Sequence, residues 1–193
     1  LPGDDILMPD CIERWHRIAA IHPELGLYFA GRRTIDENGR ALPDGPTGPP
    51  LPEGIIPGSN LIDWMLVNGQ PNIVAGTIVS RSAFRAVGGF DIRLRGAMDY
   101  DLYMRLAGRG DVYHELAVNA AVRDHDGQWS KDVFRQDNSD ADVLFDKVGE
   151  MTFLTPLQVR TFVERLCDYA RQYYSRPLRN PQRTVSDIAL ARK

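Results

Sequence analysis

Two adjacent carboxylates, Asp4 and Asp5, stand near the start of the sequence in the stretch LPGDDILMPD. We expect them at the end of a strand and before a helix. A carboxylate pair in that position can hold Mg²⁺ or Mn²⁺, and such a cation also binds phosphate oxygens. Acidic residues before a helix are also common in turns, where they interact favourably with the positive end of the helix dipole. The pair alone leaves both interpretations open.

A second group combines a glycine pair with an acid at a predicted helix start. Gly88 and Gly89 permit a close backbone turn, and Phe90 and Asp91 follow them directly. Phe90 can fill the core or form the wall of a pocket. Asp99 begins the next predicted helix, where its carboxylate either caps the helix or projects into a cleft.

The third group is a single histidine, His125, in RDHDGQWS, just after a predicted strand. A loop histidine is often a surface residue. A neutral imidazole there could also complete a metal site begun by carboxylates elsewhere. The sequence holds no GxSxG, P-loop or HExxH motif, so serine-hydrolase, nucleotide-kinase and zincin chemistry have no support.

Short helices and strands alternate along the chain and must position these groups. Hydrophobic periodicity predicts helices over residues 9–22, 60–68, 81–87 and 99–109, and strands over 25–34, 72–80 and 111–123. Residues 41–58 are rich in proline and glycine and are predicted to form a long loop, either a linker or a flap near a binding site. This alternation indicates an α/β domain with a mixed sheet.

The last segment predicts a long amphipathic helix. Thr155, Pro156 and Gln158 fit an N-cap, a first helical position and the third position of a capping box. We expect a domain over residues 1–150 and a basic helical extension over 151–193. The helix can pack on its own domain, or its 156–176 part can contact a membrane surface.

Composition excludes several classes of protein. The 193 residues are 43% hydrophobic and 25% charged, with no run of about 20 apolar residues that could span a bilayer. A net charge of −3 gives the whole chain no electrostatic signal for nucleic-acid binding. Two cysteines, without a CxxC spacing, indicate a reducing compartment, and we expect a cytoplasmic location, with a peripheral position at the inner membrane face left open.

Four segments in order resemble the family 2 glycosyltransferases, which have the GT-A fold. LPGDDILMPD is similar to their metal-binding Asp-x-Asp region, and VSRSAFRAVGGFD to the stretch before their acceptor site. MDYDLYMRLA is similar to their Glu-Asp catalytic segment, and VRDHDGQWS to their late histidine loop. Pro2 stands where the family often has the first Asp of its motif, and Met98 replaces the usual Glu before Asp99.

The resemblance implies a role for each group. Asp5 would ligate Mg²⁺ or Mn²⁺, Asp4 would contact the metal or the donor ribose, and His125 would contact the metal or the diphosphate. Asp99 would be the general base that deprotonates an acceptor hydroxyl. The acceptor pocket would be lined by Gly88, Gly89, Phe90, Asp91 and Tyr100.

The implied function is metal-dependent, inverting transfer of a sugar from a nucleoside-diphosphate sugar to a carbohydrate or lipid-linked acceptor, as in cell-envelope polysaccharide synthesis. In the family the nucleobase is held by strands before the metal motif, where this sequence begins. The resemblance therefore implies an N-terminally truncated GT-A domain whose open sheet edge could lead to self-association. The alternative is a non-catalytic remnant or interaction module.

Overall fold

Six strands form one mixed sheet with helices packed against it. The computed structural model describes residues 3–43, 49–71, 74–127 and 139–173. The strands are β1 Ile6–Leu7, β2 Leu27–Ile35, β3 Ala41–Leu42, β4 Gly54–Ile56, β5 Thr77–Val79 and β6 Val112–Arg123. The helices are α1 Cys11–Ile21, α2 Gly58–Asn68, α3 Arg81–Ala86, α4 Met98–Ala107, α5 Ser139–Val148 and α6 Pro156–Tyr173, with a 3₁₀ turn at Val74–Gly76.

The two longest strands, β2 and β6, are parallel and form the centre of the sheet. On the outer side of β6, β1 and β4 pair antiparallel with its two ends. On the outer side of β2, β3 and β5 do the same. The result is an open mixed sheet flanked by helices, compatible with a Rossmann-like fold, and it confirms the predicted α/β class.

The larger of two buried clusters in the described residues lies between the sheet and helices α2, α4, α5 and α6. Leu27 and Phe29 of β2 are almost fully buried in it, as are Leu61 and Met65 of α2. Gly58 at the start of α2 is required by this packing, because a Cβ there would collide with the carbonyl oxygens of Ala107 and Gly110. α2 can therefore approach the end of α4 closely.

The capping box predicted for the last helix is confirmed. Thr155 N donates to Gln158 Oε1 at 2.9 Å, and Gln158 N donates to Thr155 Oγ1 at 3.2 Å. Behind the box, α6 contributes four buried residues to the same core as the sheet, Val159, Phe162, Val163 and Leu166. Within the described residues α6 packs on the domain, and residues 174–193 lie outside that part of the chain.

The prediction of a continuous loop over residues 41–58 is wrong. β3 and β4 lie within it, and α2 begins at Gly58. The segment before β4 is held by two hydrogen bonds, from Trp64 Nε1 to Pro49 O at 3.0 Å and between His114 Nδ1 and Pro52 O at 2.8 Å. Residues 44–48 of this segment lie outside the described part of the chain.

The other predicted element boundaries differ less from the observed ones. The strand predicted over 72–80 consists, where it is described, of a 3₁₀ turn and the three residues of β5. The strand expected before Asp5 is not seen in residues 3–5; instead β1 follows the acid pair directly. No helix within the described residues is both long and apolar enough to cross a membrane.

Candidate functional site

Asp4 and His125 meet at one end of the sheet. Ile6 of β1 pairs with Ala121 of β6, so the turn before β1 lies beside the loop that follows β6. Asp4 Oδ2 and His125 Nε2 are 2.8 Å apart although 121 positions separate them in the sequence. The hydrogen bond from His125 lowers the pKa of Asp4, so this carboxylate is charged at neutral pH.

Asp5 lies at the same strand end but is oriented by the backbone. Its Oδ1 accepts a hydrogen bond from Arg123 N at 2.9 Å. Burial raises the pKa of Asp5, and that hydrogen bond opposes the effect. The Arg123 guanidinium also donates to the carbonyl oxygens of Asp4, Asp36 and Glu37, at 3.1, 2.9 and 2.8 Å. Arg123, which the sequence did not single out, thus fixes the loops around the acid pair.

The residue types at this strand end suit a hard divalent cation. Mg²⁺ is commonly held by one or two carboxylates, with phosphate oxygens and waters as further ligands, and Mn²⁺ prefers the same oxygen ligands. Asp4, Asp5 and His125 provide two carboxylates and one imidazole. They do not form a ready-made cage, since the described residues contain no group of three His, Cys, Asp or Glu side chains arranged to hold a metal ion. A ligand such as a diphosphate would have to supply part of the coordination.

Asp99 lies in the first turn of α4, as predicted, and its carboxylate is partly withdrawn from solvent. Burial raises its pKa, while a hydrogen bond with the Gln70 side chain acts in the opposite direction. Tyr103, one turn later on α4, is also buried, and its hydroxyl lies 3.4 Å from Thr77 Oγ1. A carboxylate with a raised pKa, partly shielded from water, is suited to accept a proton.

The start of α4 is fixed by a residue that the sequence did not reveal. Asp140, in the first turn of α5, accepts three backbone hydrogen bonds: from Arg95 N at 2.8 Å, from Gly96 N at 2.6 Å and from Ala97 N at 2.7 Å. These amides directly precede the helix that carries Asp99. The 44-residue separation between Asp140 and Gly96 left no local signal for this contact.

Residues 88–91 form the end of α3 and a connection to α4. Gly88 and Gly89 both have positive φ, 82° and 71°, and Gly89 N donates to Phe84 O, which closes the helix end. Arg105 of α4 holds this turn by donating to Val87 O at 2.5 Å and to Gly89 O at 2.8 Å. The glycine pair therefore has a structural role in addition to any binding role.

Asp91 is engaged in ion pairs. Arg93 and Lys147 each place a nitrogen 2.7 Å from its Oδ2, and hydrogen bonds from Arg93, then from Lys147, hold the pKa of Asp91 well below its usual range. Lys147 also contacts Asp101 Oδ1 at 2.7 Å, and Arg105 contacts Asp101 Oδ2 at 2.5 Å. Asp101 is fully buried, which agrees with a structural role for it.

A cavity of about 470 Å³ lies beside this turn. Its lining includes all four residues of the predicted acceptor stretch, together with charged groups from α4 and α5. Phe90 is 47% exposed and packs edge-on against Phe84, with ring centroids 5.5 Å apart. The cavity thus combines an accessible aromatic ring with fixed charges, a combination that suits a polar ligand with an apolar face.

Tyr100 does not line this cavity. Its ring packs edge-on against Phe162 of α6, with centroids 5.8 Å apart, and burial raises the pKa of its hydroxyl. A second cavity, of about 600 Å³, lies at the amino ends of the parallel strands β2 and β6, away from Asp4 and His125. Its lining includes residues that precede both strands. It contains none of the predicted site residues.

The structure therefore brings Asp4, Asp5 and His125 to one strand end, places residues 88–91 at a cavity, and sets Asp99 on α4. Among the described residues, no hydrogen bond or ion pair joins Asp99 to Asp4, Asp5 or His125. No protein-family model matches the sequence, and a search of curated proteins finds no match either.

Proposed function

We propose that the chain is a family 2 glycosyltransferase with the GT-A fold, and that it transfers a sugar from a nucleoside-diphosphate sugar to a hydroxyl acceptor with inversion. The observation that carries the proposal is the 2.8 Å contact between Asp4 and His125. These are two of the three metal-site residues that the family resemblance implies, and they meet at the carboxyl end of β6. Ligands of open α/β sheets commonly bind at the carboxyl ends of strands.

Asp4, Asp5 and His125 would hold Mg²⁺ or Mn²⁺ together with the donor diphosphate. The cation would supply neutralisation of the charge that develops on the departing nucleoside diphosphate. The backbone N–H of Arg123 donates to Asp5 Oδ1 and so orients the carboxylate that would take part in holding the cation. The Arg123 side chain keeps the surrounding loops in place through its hydrogen bonds to three carbonyl oxygens.

Asp99 would act as the general base. In the transfer, the acceptor oxygen forms a bond to the anomeric carbon while the bond from that carbon to the diphosphate oxygen breaks. Asp99 takes the acceptor proton, and the nucleoside diphosphate leaves with the electron pair. The raised pKa of Asp99 supports this role, because a base works best when its pKa lies near the working pH.

The acceptor would bind at the 470 Å³ cavity beside residues 88–91. Phe90 offers an exposed ring on which the apolar face of a sugar can stack. Asp91 is held by Arg93 and Lys147, so it would shape the pocket through these ion pairs. Tyr100 packs against Phe162 and would support α4 from the side of α6.

The alternative is a fold that binds without turnover. It is favoured by one observation, the absence within the described residues of three side chains arranged to hold a metal ion. An interaction module would bind a nucleotide or sugar without needing a cation. The two functions therefore differ in whether donor binding depends on a metal.

A thermal-shift panel tests the proposal. The intact chain is heated with UDP, GDP, dTDP and their sugars, in Mn²⁺ or in EDTA, and compared with Asp5→Asn and His125→Gln. We expect one nucleotide class to raise the Tm in Mn²⁺ only, and both variants to lose this shift. Glu13→Gln, which removes an exposed charge on α1, is the matched control and should keep it. A nucleotide shift that persists in EDTA and in both variants would favour the non-catalytic alternative.

A further inference from the structure

The Asp140 carboxylate accepts hydrogen bonds from three successive backbone N–H groups. The three donors, in residues 95–97, all lie within 2.8 Å of its oxygens. Successive amides that converge in this way form an anion-binding nest, and here the anion is a side chain of the same protein. The nest stands immediately before α4.

A second residue of α5 contacts the same helix. Lys147 is seven positions, or two helical turns, after Asp140, so the two side chains leave α5 on the same face. Lys147 pairs with Asp101 of α4, while Asp140 binds the backbone just before α4. α5 therefore contacts α4 at two places in the sequence, just before Asp99 at Ala97 and just after it at Asp101.

We propose that Asp140 is a positioning residue for Asp99: its carboxylate fixes residues 95–97 and thereby the place and charge environment of Asp99. The inference rests on the proposed function only for the role of Asp99 as a base. The physical link between the two residues can be tested without turnover. Asp140 itself need not touch a substrate.

The link has an electrostatic consequence. Free N–H groups at a helix start favour a nearby negative charge. The Asp140 carboxylate already occupies the three amides before α4, so these amides do not stabilise the charged form of Asp99. In the described part of the chain, Asp99 interacts with the Gln70 side chain, which follows α2, and with Tyr103 on its own helix. Loss of the Asp140 charge should therefore make Asp99 more acidic.

The experiment is a ¹³C NMR titration of the Asp99 carboxyl in the intact chain. Asp140→Asn is expected to lower the pKa of Asp99 by about half a pH unit, with circular dichroism unchanged. Asp142→Asn removes a charge of the same sign from the same turn of α5 and should leave the pKa of Asp99 unchanged. If Asp140→Asn does not fold, Asp140→Ser is used, with the same expectation. An Asp99 titration identical to that of the wild type would overturn the inference.

Turnover with the donor identified by the thermal-shift panel separates the two proposals. We expect Asp140→Asn to lower kcat about tenfold with little change in the KM for the donor. In a chain that already carries Asp99→Asn, the Asp140→Asn substitution should cause no further loss of kcat, because its effect on turnover acts through Asp99. A wild-type chain without transfer activity, but with the NMR shift, would refute the proposed function and leave the positioning role of Asp140 standing. Additive losses in the double variant would refute the positioning role alone.

Discussion

Lys147 Nζ on α5 lies 2.7 Å from Asp101 Oδ1 on α4, and their side chains are 8% and 0% exposed. The same ammonium contacts Asp91, and Arg105 completes the pairing of Asp101 from the other side. The buried Asp101 and the partly buried Asp91 thus share Lys147, while Arg105 pairs with Asp101 and Arg93 with Asp91. Because Arg105 also binds carbonyl oxygens of the 87–89 turn, the network joins α4, α5 and the turn that lines the proposed acceptor cavity.

The first prediction concerns the stability of this network. Lys147→Met keeps most of the volume of the side chain but leaves Asp101 and Asp91 without their shared cation. Removal of one partner of a buried ion pair costs about 3–5 kcal/mol, so we expect a loss of that order in the free energy of unfolding, measured by urea denaturation.

Arg93→Gln is the matched control for Lys147. Its guanidinium contacts the same carboxylate, Asp91, but the side chain is 55% exposed. Exposed ion pairs contribute little, and the loss should stay below about 1 kcal/mol. Equal losses in the two variants would show that burial of Lys147 does not set the strength of the network.

The second prediction concerns the capping box of α6. Thr155→Ala removes the side-chain acceptor for Gln158 N and should lower the free energy of unfolding by about 1 kcal/mol. Thr152→Ala, at an exposed threonine before the helix, should change it by less than about 0.5 kcal/mol. The measurement is again urea denaturation. If the two alanine variants were equally stable, the reciprocal hydrogen bonds would have no net effect on stability.

Local signals were sufficient for several parts of the molecule. The capping box at Thr155 and the periodicity of α1 depend on residues within one or two turns of each other, and the structure confirms both. The sequence also singled out Asp4 and His125 as partners at one site, through the family resemblance. Their contact depends on the pairing of β1 with the end of β6, which the sequence pattern alone did not specify.

What the sequence missed depends on contacts between distant segments. β4 is only three residues long and lies among prolines and glycines, so its strand geometry is determined by pairing with β6. Asp140 and Lys147 belong to α5, which none of the sequence patterns predicted. An acid that binds the backbone before another helix and a lysine that pairs inside the core have the same local pattern as surface charges on an amphipathic helix.

The third prediction tests the membrane contact that the sequence left open for the basic helix α6. Arg165 donates to Leu66 O and Val67 O at the end of α2, so its replacement would disturb the fold. Arg160 is 67% exposed and pairs with Glu164 on the same helix. We therefore expect Arg160→Gln with Arg171→Gln to weaken binding to phosphatidylserine vesicles by about tenfold, measured by co-sedimentation.

Arg17→Gln, on the exposed face of α1, provides the control and should bind vesicles as the wild type does. Unchanged binding by the double variant would exclude the helix as a membrane contact. Equal weakening in Arg17→Gln would instead indicate a general charge effect.

The last prediction concerns the pH dependence that follows from Asp99. Burial raises its pKa in the folded protein above the ordinary value of 3.8. Well below pH 3.8 the carboxyl is protonated in both states and has no electrostatic effect on stability. As the pH rises, the unfolded state ionises first, so the charged form costs stability, and this cost is complete above the folded pKa. Asp99→Asn removes the cost and should raise the Tm at pH 7 more than at pH 3.

The same substitution should abolish the proposed transfer, because loss of a general base costs about 10²–10⁴ in rate. For the wild type we expect kcat to fall on the acidic side, as Asp99 becomes protonated. Thermal unfolding at pH 3 and pH 7 and transfer rates over the same range are measured together. If Asp99→Asn gained stability without a change in transfer rate, the general base would be another residue. If it lost stability at pH 7, favourable interactions of the Asp99 carboxylate would outweigh the cost of its burial. A gain in Tm coupled to a loss of turnover is the result expected if Asp99 is kept partly buried, at a cost in stability, for proton transfer.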